Sequence, residues 1–312
     1  MPAPSADRIR TANVRYHDLA ATHYDSKWGI SYEAVGQRQV VGKLRKALGE
    51  EPGAFARALE IGTGTGYFGL NLVRAGVVGR LTATDISPGM LEVMADSAAQ
   101  IGVEVETASC EAAELPFPDD SFDLVFGHAV LHHLPDLEAA FDEFKRVLRP
   151  GGTIAFCGEP SFYGDRLAAL PKRGAHALAP MWRTLMRAAP RPAAAGNGND
   201  HCGGAHGGSE EDLLEAVVDV HAFTPADLAS EARGAGFRDV RVSGEELAAS
   251  LFGWANRALE ATADPDEVPW AWRQYAYRGY LMLQAVDRAL LEPRLPAALF
   301  YNLLLSARAP VC

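Results

Sequence analysis

The chain has 312 residues, of which 48% are hydrophobic and 22% charged; this fits one elaborated globular domain and excludes disordered and fibrous classes. A net charge of −11 disfavours a protein built to grip a phosphate backbone, so no nucleic-acid partner is expected. Cys110, Cys157, Cys202 and Cys312 lie far apart without CxxC spacing, and no apolar run reaches the roughly 18 residues of a membrane helix; reduced thiols, no membrane span and a cytoplasmic protein are expected, its oligomeric state open.

Residues 1–52 carry no strand pattern. Val40, Val41, Leu44, Ala47 and Leu48 recur at helical spacing before Gly49, which predicts a helical N-terminal arm. Upstream, Tyr16, His17, His23, Tyr24, Asp25 and Trp28 form an aromatic and polar cluster that either closes over a ligand, with Tyr24 as a contact, or packs as a surface arm. From 57 to 160, short apolar runs alternate with helical segments, the pattern of βαβ units. Strands are expected near 57–61, 80–84, 103–107, 122–127 and 152–157, and helices near 66–75, 88–101 and 137–148, the last stopped by Arg149-Pro150-Gly151-Gly152.

Residues 161–222 read as less regular, and 189–209 is rich in Pro, Ala, Gly and Asn, which suggests a mobile loop or lid. His201, Cys202 and His206 lie there with no evident fourth ligand, since Asp200, Asp219 or His221 would join only after folding; no metal site is expected. Thr224 as N-cap and Pro225 at the first helical position open a helix before a strand at 239–243, and a last strand is expected at 300–309. The organisation is thus an arm (1–52), a core (53–160), a lid insertion (161–223), a core continuation (224–244), a helical aromatic-rich cap (245–296) and a final core strand (297–312). In a helix over 270–291, Arg273, Tyr277, Tyr280, Gln284 and Asp287 share one stripe; Tyr275, Met282, Val286 and Ala289 share another, taken as the core face.

Gly62-Thr63-Gly64-Thr65-Gly66 follows the strand Ala58-Leu59-Glu60-Ile61 and precedes a helix, so the backbone can approach a ligand closely. NAD, FAD and S-adenosylmethionine all use such a loop, as does a tight turn without ligand. Asp85 lies about 20 residues beyond, at the end of the second strand, where a carboxylate can accept from both hydroxyls of an adenosine ribose.

The runs LEIGTGTGYFG, ATDISPGML, EAAELPFPDDSFDLVFGHAVLHHLPD and FKRVLRPGGTIAF together resemble class I methyltransferases of the ubiquinone/menaquinone methyltransferase-like group. The likeness covers roughly 57–157 and is weaker at 224–243 and 300–309. It implies an α/β fold, a Rossmann-like doubly wound, seven-stranded, mostly parallel sheet with a helical arm and helical cap insertions, and S-adenosylmethionine as cofactor. By the same resemblance, Gly62, Thr63, Gly64 and Gly66 border the methionine part, while Glu60 organises the loop or holds the ammonium through water. Asp85 would hold the ribose, Ile86 press on adenine and Met90 add a soft apolar contact. Where the family has Asp-Ala before LPF, reading the adenine edge by side chain and amide, this chain has Glu111-Ala112, one methylene longer. Gly127 would offer its carbonyl to the ammonium, and His128 would lie near the sulfonium.

The methyl group of this cofactor is already activated, so the protein must chiefly hold a nucleophile about 3–3.5 Å from it, in line with the departing sulfur, and no metal is required. A hydroxyl or carbon acceptor also benefits from a base. His128, His132, His133, Glu159 and His221 are candidates. Glu159, just past the fifth strand, is preferred, with loop capping as its alternative; His133 and His128 follow, and the His132-His133 pair otherwise reads as structural. Phe252, Trp254, Trp270, Trp272, Tyr275, Tyr277 and Tyr280 in the cap favour a small, aromatic or quinone-like acceptor. The competing readings are a nicotinamide-dependent oxidoreductase and a non-catalytic S-adenosylmethionine-binding regulator.

Overall fold

The computed structural model describes residues 5–20, 31–191, 218 and 220–311. Tyr24 and the His201, Cys202 and His206 group lie outside the described residues, as do His23, Asp25, Trp28, Asp200 and Asp219.

Two compact units divide the chain: the described residues of Met1–Glu159, Glu210–Ser243 and Leu304–Cys312 form the first, and those of Pro160–Ser209 and Gly244–Leu303 the second. In the first, helices α1 (Ala6–Ala20) and α2 (Ala34–Leu48) precede strand β1 (Phe55–Ile61). Gly49 ends α2 in the left-handed conformation, φ 78°, and its amide returns to the Arg45 carbonyl, the stop expected of glycine at that place. There follow α3 (Tyr67–Arg74), β2 (Val78–Asp85), α4 (Pro88–Ile101), β3 (Glu106–Ser109), β4 (Phe122–His128), α5 (Leu137–Val147) and β5 (Leu148–Pro160). Helix α7 (Pro225–Gly234), strand β6 (Arg238–Glu245) and strand β7 (Asn302–Arg308) complete the sheet.

The seven strands lie in the order β3-β2-β1-β4-β5-β7-β6, mostly parallel, as the sequence implies. Strands of such a sheet are covered on both faces and run apolar without alternation. Leu59, Glu60 and Ile61 are accordingly all buried at the end of β1. Val40, Leu44, Phe68, Leu70 and Leu72 pack with the sheet residues Leu81 and Phe126 in one buried cluster. Phe141, Phe144, Phe156 and Phe237 form a second aromatic group, with ring centroids 5.2–6.3 Å apart. Sidechain caps start the helices where the sequence places them: Ser87 accepts from Met90 N, Asp136 from Ala139 N, and Thr224 makes a reciprocal box with Asp227.

Two strand limits differ from expectation. Strand β3 pairs from Glu106 to Ser109 rather than over 103–107, because Val103 N is spent on the Ala98 carbonyl at the end of α4 while Val103 and Val105 pack against the core from the loop. Strand β5 begins at Leu148, before the Pro-Gly-Gly: Phe122 pairs with Leu148 and Leu124 with Thr153, so the breaker residues are taken up as a bulge, with Gly151 at φ 77°.

In the second unit, 162–186 is not irregular but one helix, α6 (Phe162–Met186), with Ser161 as its cap and Pro171 and Pro180 inside it. Gly164, Ala168, Ala175, Ala179 and Trp182 form its buried side, the first four small enough for close packing on helix α8 (Ala248–Glu260). Helix α9 (Trp270–Val286) overturns the stripe assignment: Tyr275, Met282, Val286 and Ala289 are exposed, and Gln284, from the polar stripe, is its buried residue. The reason is a buried acid. Glu246, at φ 62°, accepts from Tyr280 Oη at 2.7 Å and from Gln284 Nε2 at 2.9 Å, so the C-terminal part of the polar stripe turns inward to satisfy it, while Arg273 and Tyr277 stay exposed. Asp287 is buried for a similar reason, accepting the Ala248 and Ala249 amides at the start of α8.

Candidate active site

Between β1 and β4 the strand order reverses, and open α/β sheets bind ligands in the crevice beyond the strand ends at that point. The glycine loop leaves β1 there. Gly62, Gly64 and Gly66 have φ of 60°, 53° and 91°, which glycine adopts without strain. A side chain at Gly62 would run into Val130 and one at Gly66 into Leu70 and Met94, whereas a Cβ on Gly64 would meet nothing within 4 Å. The first and third glycines therefore serve packing, and the second leaves the loop open on its outer side.

Two buried acids hold this loop. Glu60 Oε2 accepts the Thr63 hydroxyl at 2.7 Å and Oε1 accepts Gly69 N at 3.0 Å. Asp85 Oδ2 accepts Gly64 N at 2.9 Å and Oδ1 accepts Ser87 N at 2.9 Å. Burial pushes the Glu60 carboxyl up to about 8 against the opposing Thr63 and Gly69 bonds, with Asp85 adding a further upward push. Burial raises Asp85 as well, opposed first by the nearby His17.

Since the folded protein holds the Glu60 proton more tightly than the unfolded chain does, this group favours folding most below about 4.5 and loses that contribution as pH rises toward 8. Urea unfolding of the ligand-free protein at pH 5, 6.5 and 8 should show wild type losing stability relative to Glu60→Gln across this range. Parallel curves for the two proteins would contradict the raised value.

Helix α1 crosses the loops that follow β2, β3 and β4. Asp18 Oδ1 accepts the Ser87 hydroxyl at 2.5 Å and Gly89 N at 3.2 Å, Arg10 Nε pairs with Glu111 at 2.6 Å, and Asn13 Nδ2 donates to the His133 carbonyl at 3.3 Å. Sequence reasoning identified the arm but none of these three side chains, whose polar spacing marks only a solvated helix. Of the adenine-side residues, Ile86 is half-buried, Met90 is fully buried with its amide on Ser87 Oγ, and Ala112 is buried beside the Glu111 ion pair. The LPF segment is fixed from behind: Arg146 donates to the Leu115 and Phe117 carbonyls and to Asp119, and Glu143 accepts Leu115 N.

At the end of β4, Gly127 is buried with no room for a Cβ, which would meet Val130 and the Ile61 carbonyl. His128 stacks on Phe68 at 5.3 Å and lies edge-on to Tyr67 at 6.1 Å, with Gly158 close against its ring. Glu159 is fully buried and accepts from Val130 N, Leu131 N and His132 N at 3.0–3.2 Å and from His132 Nδ1 at 2.9 Å. Burial by itself would raise this carboxyl; the hydrogen bond and electrostatic attraction of His132 and the Val130 and Leu131 amides outweigh it and hold the group below the usual value. His133 donates Nδ1–H to the Val218 carbonyl at 3.0 Å, its ring 3.9 Å from that of His132 and 5.5 Å from that of His17. Desolvation, with His132 and His17 alongside, keeps His133 well below the usual histidine range. The same turn accepts Val220 N and His221 N on the His132 carbonyl, and His221 Nε2 donates to the Leu134 carbonyl.

Residues 59–156 match the family described as methyltransferase domain. Over that segment the chain is a class I methyltransferase domain. The match sets aside the nicotinamide reading. An uncharacterized protein of Mycobacterium tuberculosis is 34% identical over 158 residues, 49% of this chain and 56% of that protein. A malonyl-[acyl-carrier protein] O-methyltransferase of Halorhodospira halophila is 34% identical over 145 residues, 46% of each chain. A ubiquinone/menaquinone biosynthesis C-methyltransferase of Cupriavidus taiwanensis is 37% identical over 99 residues, 31% of this chain and 41% of that protein. The chain thus spans about half the length of the curated relatives it matches. Among solved structures, the [4+2]-cyclase SpnF aligns over 100% of this chain and 99% of its own with a TM-score of 0.56 at 18% identity. A putative sarcosine dimethylglycine methyltransferase from Galdieria sulphuraria aligns over 93% and 98% with a TM-score of 0.54 at 15% identity. At these identities the structures share the fold, and the cyclase illustrates that one fold hosts more than one chemistry.

The residues present suit S-adenosylmethionine. Thr65 Oγ1 is buried without a hydrogen-bond partner among the described residues, the outer side of Gly64 is open, and two carboxyl groups flank the loop where a cationic cofactor would be held. A carboxylate has about four acceptor positions, so Asp85 retains capacity for ribose hydroxyls beyond its bonds to Gly64 and Ser87.

Proposed function

We propose that this protein transfers the methyl group of S-adenosylmethionine to an oxygen, nitrogen or carbon of a small organic acceptor, with His132 as the proton-accepting group and Glu159 as the residue that positions it. The supporting observation is the bond from Gly64 N to Asp85 inside the matched domain, which ties the glycine loop to the carboxylate suited to a ribose. The cofactor supplies an electrophilic methyl on a sulfonium; the chain's own groups bind it, exclude water and orient the acceptor.

Glu159 was the favoured base from sequence, but four donors already engage its two oxygens, an arrangement suited to orienting rather than to touching an acceptor. With Nδ1–H directed to Glu159, the lone pair of His132 resides on Nε2, the tautomer a general base needs. His133 and His128 are engaged with Val218 and with Phe68, and fit roles in shaping the turn and the pocket wall. The helical unit is proposed to select the acceptor, with an aromatic metabolite favoured by its ring content.

Methyl-labelled cofactor incubated with phenols, amines, quinols and carboxylic acids tests the reading. Label in one acceptor class is expected, and for a hydroxyl or carbon acceptor His132→Asn should lower kcat by about 100-fold or more while cofactor affinity is kept. Binding of S-adenosylhomocysteine with no transfer across the panel would favour the non-catalytic regulator.

A further inference from the structure

Helix α6 leaves most of its large aliphatic side chains outside the core. Its buried side is Gly164, three alanines and Trp182, while Leu170, Leu178, Met181 and Leu185 are 64%, 54%, 66% and 75% exposed. These four, with exposed Tyr163, recur at helical spacing and form one continuous stripe. Burial of large apolar side chains is favourable, so a helix that presents four of them in one stripe is shaped for a second apolar surface on that side.

Charge points to what that surface is. Residues 162–191 contain six Arg and Lys, at 166, 172, 173, 183, 187 and 191, against the single acid Asp165, in a chain whose net charge is −11; Lys172 pairs with that acid and Arg183 donates to the Thr262 carbonyl, which leaves the exposed Arg166, Arg173, Arg187 and Arg191. Arg166 and Arg173 border the stripe, and Arg173 and Arg187 are exposed. Two copies of this helix face to face would set like charges together, which disfavours self-association through it. Among the described residues no helix is long and apolar enough to cross a membrane, so the helix would lie along a surface rather than span it. A basic helix with an apolar stripe is the pattern that enters the interface of an anionic bilayer. Trp270 on α9 of the same unit, 72% exposed, is of the residue type that settles at such an interface.

We propose that α6 is a docking face for an anionic lipid surface, through the Leu170, Leu178, Met181 and Leu185 stripe and the arginines beside it. This does not depend on methyl transfer.

Co-sedimentation of the full chain with vesicles tests it, using phosphatidylglycerol mixed into phosphatidylcholine against phosphatidylcholine alone. Partitioning to the anionic vesicles is expected to be at least about tenfold stronger and to weaken in high salt, since each Lys or Arg near such a surface contributes roughly a fivefold factor. Met181→Glu combined with Leu185→Glu should reduce it about tenfold or more, and Arg173→Glu should erase part of the anionic preference while apolar contact persists. Unchanged thermal unfolding and S-adenosylhomocysteine binding in the variants would exclude misfolding as the cause. Failure to bind either vesicle overturns the proposal, as does equal binding by the double variant. Self-association abolished by the double variant, without vesicle binding, or retention on polyglutamate alone, would likewise overturn it in favour of a protein interface.

Discussion

Asp85→Ala should weaken S-adenosylhomocysteine binding by about 100-fold or more, read by calorimetry. A hydrogen bond to a charged group contributes roughly 1.5–3 kcal/mol and tenfold in affinity is about 1.4 kcal/mol, so losing a carboxylate proposed to hold two ribose hydroxyls reaches that range. The loop suffers as well, because Gly64 N and Ser87 N lose their acceptor and Asp18 reaches the same Ser87 from α1. Asp85→Asn keeps the shape but has a single strong acceptor, and should fall between wild type and alanine. If alanine binds as tightly as wild type, the ribose role is wrong. If both variants melt far below wild type before any ligand is added, the carboxylate serves mainly to hold the loop.

Glu159→Ala should destabilise the ligand-free protein by about 3–5 kcal/mol in urea unfolding, the range seen when one partner of a buried charge network is removed. Three backbone amides and one imidazole N–H lose their acceptor in a place that water does not reach. The group is held below its ordinary value, so its contribution is complete above about 4.5 and is lost as pH falls through the lower folded value; the difference between wild type and variant should shrink in acid. A loss below about 1 kcal/mol at neutral pH would mean that the turn is held by other contacts, such as those with Val220 and His221.

The legible parts of the fold were those in which local chemistry and tertiary demand coincide. Thr224 before Pro225 and Gly49 after Leu48 each satisfy helix-end groups by local geometry, and each stands where it was expected. The stretch around 103–107 misled because Val103 and Val105 are apolar for packing while the Val103 amide closes α4, so hydrophobicity and pairing fell on different residues. Helix α9 misled more completely. Its polar stripe looks solvated until Glu246 is known to be buried beneath Tyr280 and Gln284, and nothing in a one-dimensional pattern announces that acid.

The candidate site divides in the same way. Gly62 to Gly66, Glu60 and Asp85 are local in sequence or a fixed spacing apart, so residue type and interval were enough to find them. Glu159 was noticed for its place at a strand end, yet whether it caps a turn or meets an acceptor depends on the Val130–His132 segment, 27–29 residues away in sequence. Arg10, Asn13 and Asp18 are more distant still from the loops they engage, at separations of 69 to 120 residues where the bonds are hydrogen bonds.

The sequence by itself determined the parallel sheet, the glycine turn and the carboxylate at the end of the second strand, because periodicity, backbone freedom and cap chemistry act over a few residues. Only the tertiary structure decided that Glu159 bonds to His132 and the amides of its turn, that α1 is clasped to the loops after β2, β3 and β4, and that α6 turns Leu170, Leu178 and Leu185 outward, because burial and hydrogen-bond saturation belong to neighbours that the chain brings together only on folding.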